Sequence, residues 1–118
     1  MEKLSLPPIA LEAKGKPLSY NPQTSEFAYY DKVASGEQKI YPVAKWTKDS
    51  RTKLAIKRYQ TSEENMMVST LNGEHYSKEN IVKEIELGSA VGQSFMSLDL
   101  NYLEYYLSTF PENAFGEK

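Results

Sequence analysis

The sequence predicts an α+β fold, with an antiparallel sheet of about four or five strands over residues 26–76 and two C-terminal helices packed on one face of it. Three observations predict it. Short runs rich in Tyr, Phe, Val and Ile alternate with turn signals as far as Tyr76. Asn72-Gly73 lies between two such runs, the strongest short signal for a tight hairpin. After Ser77 the apolar residues change from strand spacing to helical spacing.

Residues 1–25 form an extended N-terminal arm in this reading. Leu4, Leu6, Ile9 and Leu11 are spaced for extended chain, and Pro7, Pro8, Pro17 and Pro22 oppose a helix. The arm is expected to lay these side chains along the domain. A proline-rich ligand segment would need a basic PxxP context, which is missing here. Glu26 to Lys32, rich in Phe and Tyr, reads as the first strand, and Ala34 to Glu37 as its turn, with Gly36 able to take positive φ. Gln38 to Trp46 reads as the returning strand, with Pro42 at an edge or bulge.

The polar run from Thr47 to Arg51 then connects to a strand from Thr52 to Gln60, and Thr61 to Asn65 is a polar loop. Met66 to Leu71 enters a type I′ turn at Asn72-Gly73 and leaves through Glu74-His75-Tyr76. Ser77 is placed to cap a helix whose inner arc is Ile81, Val82 and Ile85, and Gly88 to end it. Ser89 to Ser97 fits a loop or a short strand through Phe95. A second helix, capped by Ser97 or Asp99 and ending before Pro111, puts Leu100, Leu103, Leu107 and Phe110 on one face. Residues 111–118 read as a polar tail. At 118 residues the chain is expected to form a single domain.

Charge is distributed unevenly. The formal net charge is −2, yet residues 39–59 hold Lys39, Lys45, Lys48, Arg51, Lys53, Lys57 and Arg58 against one acid, Asp49. Residues 60–118 carry ten acids against three lysines. Such asymmetry bears on partners rather than on fold. Without cysteine, disulfides, thiolate nucleophiles and Cys-ligated metal sites are excluded. The start of the chain does not read as a signal peptide, since Glu2 and Pro7-Pro8 interrupt the required pattern. No apolar run is long enough to span a membrane. The expected address is cytoplasmic.

Four constellations could carry function. If residues 39–46 and 52–60 were paired strands, Ile40, Trp46, Leu54 and Ile56 would face the core. Lys39, Tyr41, Lys45, Lys53, Lys57 and Tyr59 would share the exposed face, with Lys48 and Arg51 beside it. Cations for phosphate and flat rings for unpaired bases are the inventory of a nucleic-acid platform, although Lys and Tyr are also ordinary on a solvated sheet face. Tyr102 and Tyr105 project from the second helix as a candidate protein interface, unless the N-terminal arm covers them. The acids Glu63, Glu64, Glu74, Glu79, Glu84, Glu86, Asp99, Glu104, Glu112 and Glu117 are spread out, more like solvated faces than a phosphate mimic. His75 is the only histidine, and no second imidazole or thiol is present to build a zinc site.

No GxSxG, P-loop or dinucleotide motif occurs. A helix-turn-helix around Ile81 to Leu98 is discounted because its second helix would carry no cation for phosphate. The expectation is a small non-catalytic regulatory or accessory protein without metal or cofactor, binding single-stranded nucleic acid or RNA through the basic sheet face. The competing expectation is a protein-interaction module, an adaptor or inhibitor, using Tyr102, Tyr105 and the acidic half. It includes a homodimer in which basic and acidic surfaces pair.

Overall fold

The computed structural model describes residues 3–62, 66–70 and 72–116, with only the backbone described at Glu12. It is a mixed α+β structure, but among the described residues the broad sheet is not formed: the strands there make two separate two-stranded antiparallel hairpins. In chain order the elements are β1 (Ser19–Asn21), β2 (Glu26–Ala28), α1 (Tyr30–Ala34), α2 (Lys48–Gln60), β3 (Met67–Ser69), β4 (His75–Ser77), α3 (Lys78–Leu87) and α4 (Ala90–Leu107). The core lies where α2, α3 and α4 meet the β1–β2 hairpin. Leu18, Val33, Ile40, Leu54, Ile81, Ile85, Leu100, Leu103 and Leu107 are buried in one cluster there.

The largest correction concerns residues 39–60. The two paired strands expected there are replaced by a 3-10 turn at Val43–Lys45 and by α2. Thr47 caps α2 with a reciprocal pair of bonds: its Oγ1 accepts from Ser50 N at 3.1 Å, and Ser50 Oγ accepts from Thr47 N at 2.8 Å. Lys, Arg, Leu, Ala and Gln then supply good helix formers, with Asp49 in the first turn and Lys57 and Arg58 in the last, as the helix dipole favours. The buried residues Ser50, Leu54, Ala55 and Arg58 follow helical spacing. Of the expected core face, Ile40 and Leu54 are fully buried, while Trp46 and Ile56 pack against the core from its margin.

The first strand also ends early, at Ala28, and the chain turns into α1. The Gln38 amide holds that joint by accepting from Tyr29 N at 2.9 Å and donating to Phe27 O at 3.1 Å. Gly36 takes positive φ as expected. The returning segment is not a strand. Ile40 instead makes an isolated parallel bridge to Phe115, with Ile40 N donating to Ala114 O and Gly116 N to Ile40 O, both at 2.9 Å. The expected polar tail therefore begins as part of the fold, with Ala114 buried and Phe115 against the core. Glu117 and Lys118 lie outside the described residues, as do Glu63, Glu64, Asn65 and Leu71 of the expected loop and strand.

Part of the expected arm is likewise structural, since Leu18 is buried and Ser19–Asn21 pairs with Glu26–Ala28. Asn21 Oδ1 accepts from Gln23 N at 2.9 Å and Asn21 O from Ser25 N at 2.8 Å, closing the turn with Ser25 at φ 59°. A non-glycine residue in this region costs about 1–2 kcal/mol, partly offset by the chain entropy that glycine adds. Ser25→Gly should therefore raise Tm by about 2–4 °C, measurable by circular dichroism. An unchanged or lower Tm would show that the Ser25 side chain compensates for its backbone.

Later residues follow the sequence more closely. The hairpin at Asn72-Gly73 forms, but of these two residues only Gly73 has positive φ, so the turn is not type I′. Ser77 caps α3 and Gly88 ends it in the left-handed conformation. The stretch from Ser89 is neither loop nor strand. Ser89 caps α4, which runs through Ser97 and Asp99 without a break. Leu100, Leu103, Leu107 and Phe110 are buried as expected.

Candidate functional site

The helix dismantles the expected basic sheet face and sends its residues to different places. Arg58 is buried, with Nε 2.7 Å from Asp99 Oδ2, Nη2 3.3 Å from Asp99 Oδ1 and Nη1 donating to Pro17 O at 2.8 Å. Arg51 pairs with Glu104 at 3.2 Å. Both acids belong to α4, so two of the seven basic residues of the stretch are paired with the acidic half inside the molecule. Tyr59 packs edge-on against Phe95 and donates its hydroxyl to Phe95 O at 3.0 Å. Its pKa is pushed up to about 12, chiefly by burial and secondarily by the Asp99 carboxylate, with Arg58 opposing. It is a packing residue rather than a platform for a base.

The other basic-stretch residues are also dispersed. Lys39 Nζ donates to Asn113 O. Tyr41 N donates to Ser19 Oγ at 3.0 Å, and the Tyr41 carbonyl accepts from Trp46 Nε1 at 2.8 Å. Lys45 lies at the end of the 3-10 turn and Lys48 at the first turn of α2. Only Lys53 and Lys57 keep a common aspect, one helical turn apart. Their ammonium groups lie 5.6 Å from the Tyr20 ring centre and 5.8 Å from that of Phe27. Lys53 is also 3.4 Å from Asp49.

The α4 surface is the more coherent feature. Tyr102 and Tyr105 are exposed, at 66% and 74%, and Leu98 joins them at 72%. Spaced i, i+4 and i+7, these side chains occupy one stripe. Ser94, Ser97, Asn101 and Ser108 surround it, so the exposed face of α4 carries no charged residue. Asp99 and Glu104, the acids of α4, both turn toward α2. Sequence reasoning found the tyrosines but missed Leu98, because a helix capped by Ser97 or Asp99 leaves that residue at its first position or before it. A cap at Ser89 is the signal that adds it.

The N-terminal arm does pack against its own chain, but over Tyr106. Leu4 N donates to Ala34 O at 2.8 Å, and Tyr30 OH donates to Pro7 O at 2.8 Å. Tyr106 OH lies 3.1 Å from the carbonyls of both Pro7 and Pro8. Burial, more than the neighbouring Tyr30 and Tyr102, pushes the Tyr106 pKa up to about 12. Tyr102 is left at the edge of the arm, where it lines a notch of about 80 Å³ with Pro8, Ile9, Ala10 and Leu103. Leu11 of the arm is also exposed.

Among the described residues, the remaining candidates lie apart from one another. His75 is exposed, with Nδ1 2.7 Å from Ser69 Oγ. The neighbouring Glu74 accepts from Tyr76 OH at 2.6 Å, and this bond is the main cause of a raised Tyr76 pKa. Among the described residues, no three His, Asp or Glu side chains are grouped to hold a metal ion. No helix among them is long and apolar enough to cross a membrane. Comparison with protein families, with curated proteins and with solved structures found no match.

Proposed function

We propose that this is a non-catalytic protein-interaction module, an adaptor or inhibitor, whose docking surface is the uncharged outer face of α4. The observation that carries this reading is the stripe of Leu98, Tyr102 and Tyr105 on a charge-free helix face, in a chain that is 25% charged. Depletion of charge with enrichment of aromatic rings is the compositional mark of an interface core. The notch beside Tyr102 adds a recess in which a partner's aliphatic side chain can anchor.

The size of the surface supports a particular kind of partner. The 18 residues of α4 present a strip about 27 Å long and about 10 Å wide. That is well short of the roughly 800 Å² per partner of a stable dimer interface. It suits a single uncharged apolar helix or extended segment of another protein, held transiently, rather than a permanent homodimer.

Both tyrosines are solvent-facing, so Tyr102→Ser/Tyr105→Ser should leave Tm within about 2 °C of the wild type. The same double variant should lose a partner that immobilised wild type retains from an extract of the source cell. Both forms should sediment as monomers. Capture of an identical set of proteins by the two forms, or a wild-type dimer that survives the double substitution, would overturn the reading.

A further inference from the structure

We infer that the basin between the β1–β2 hairpin and α2 is a second binding site, independent of α4, that takes one or two nucleotides of a single-stranded nucleic acid. Tyr20 and Phe27 from the hairpin and Ile56, Lys53 and Lys57 from α2 line an open depression of about 350 Å³. Tyr20 and Phe27 pack 4.8 Å apart between ring centres, forming an aromatic floor. Ser25, with its left-handed backbone, sits on the rim. Backbone held in a sparsely populated conformation is concentrated at binding sites.

The chemistry of the lining selects the ligand class. The floor is apolar and partly aromatic, which suits the face of a base. The two ammonium groups at its edge already lie over the rings, where cations are attracted to the negative ring faces. Among the described residues Lys57 makes no ion pair, and Lys53 is shared only with the exposed Asp49. Both side chains are long and flexible. When a base occupies the half-buried Phe27 face, the ammonium groups can swing outward to its flanking phosphates. Lysines one turn apart, with Cβ atoms about 6 Å from each other, match neighbouring phosphates of an extended strand. With Arg51 and Arg58 turned inward, these two lysines mark the part of the basic stretch best placed for an anion.

The test is fluorescence anisotropy with short labelled oligothymidylate and oligouridylate, each titrated with the whole chain. Two phosphate contacts imply a salt slope of about −1.4, so affinity should fall about tenfold between about 20 mM and about 100 mM salt. Lys53→Gln/Lys57→Gln should weaken binding at least about tenfold at the lower salt and flatten the slope. Phe27→Leu should weaken it about fivefold or more while keeping the slope, because it removes the stacking ring and not the charge. Near-ultraviolet circular dichroism of the single Trp46 checks that each variant is folded. Preference for the uridylate or the thymidylate identifies the source as RNA or DNA, and either supports the site. No binding at the lower salt overturns it, as does equal binding by the lysine variant. Displacement by polyglutamate together with an unaffected Phe27→Leu also overturns it, in favour of an acidic-peptide site.

Discussion

Replacing Arg58 by alanine should destabilise the fold by about 3–5 kcal/mol, a large share of the about 5–15 kcal/mol that holds a domain of this kind together. Arg58 is 6% exposed, and its guanidinium distributes its donors over both Asp99 oxygens and the Pro17 carbonyl. Truncation leaves the Asp99 carboxylate, itself mostly buried, without its counter-charge, and a buried peptide carbonyl without its donor. The loss also weakens the tie among three segments, since this one side chain reaches from α2 to both α4 and Pro17, just before β1. In urea titrations the midpoint should fall with little change in slope. Arg58→Met/Asp99→Leu, which removes both charges and keeps apolar volume, should recover most of the stability. A loss below about 1 kcal/mol for Arg58→Ala would mean that solvent reaches the pair and that its burial does not determine its worth.

The same residue shows why the sequence could be read correctly in some places and not in others. From Leu54 to Arg58, apolar and long side chains fit strand alternation (Leu54, Ile56, Arg58) as well as helical spacing (Leu54, Ala55, Arg58). A segment this short does not separate the two periods. The deciding signals were local: Thr47 and Ser50 as a cap pair, Asp49 in the first turn, and few β-branched residues. Basic charge drew attention to a binding face, yet the partners of Arg51 and Arg58 lie more than forty positions later, at Glu104 and Asp99. Long-range pairing of that kind leaves no local mark. Where one signal has no competitor, sequence and structure agree: Ser77 and Gly88 bound α3, Gly73 turns its hairpin, and the Leu100–Leu103–Leu107 stripe is core. For the candidate interface, Tyr102 and Tyr105 were legible from helical spacing, whereas Leu98 required the true start of α4. The basin at Phe27 required the tertiary contact of hairpin and helix.

Gly92→Ala is expected to be the second severe substitution, although intrinsic propensity points the other way. In an exposed helix the change should stabilise by about 1 kcal/mol. In α4, however, Gly92 is where the helix touches α3 backbone to backbone. A Cβ built there would meet the Glu84 carbonyl and come within 2.6 Å of Ile85 N. Main-chain atoms cannot rotate away as a flexible side chain can, so the helices must separate. The Ser89 cap is caught in the same contact, since its Oγ accepts from Gly92 N at 3.0 Å and donates to Glu84 Oε1 at 2.7 Å. Separation would open the packing of Ile81 and Ile85 of α3 against Phe95 and Met96 of α4. A net destabilisation of about 2–3 kcal/mol should follow, read as a lowered urea midpoint. Ser94→Ala, two residues on and facing solvent, supplies the contrast and should stay within about 0.5 kcal/mol of the wild type. If Gly92→Ala instead proves neutral or stabilising, α3 and α4 do not meet at Glu84 and Ile85. The α4 face bearing Tyr102 and Tyr105 would then be oriented differently with respect to the core.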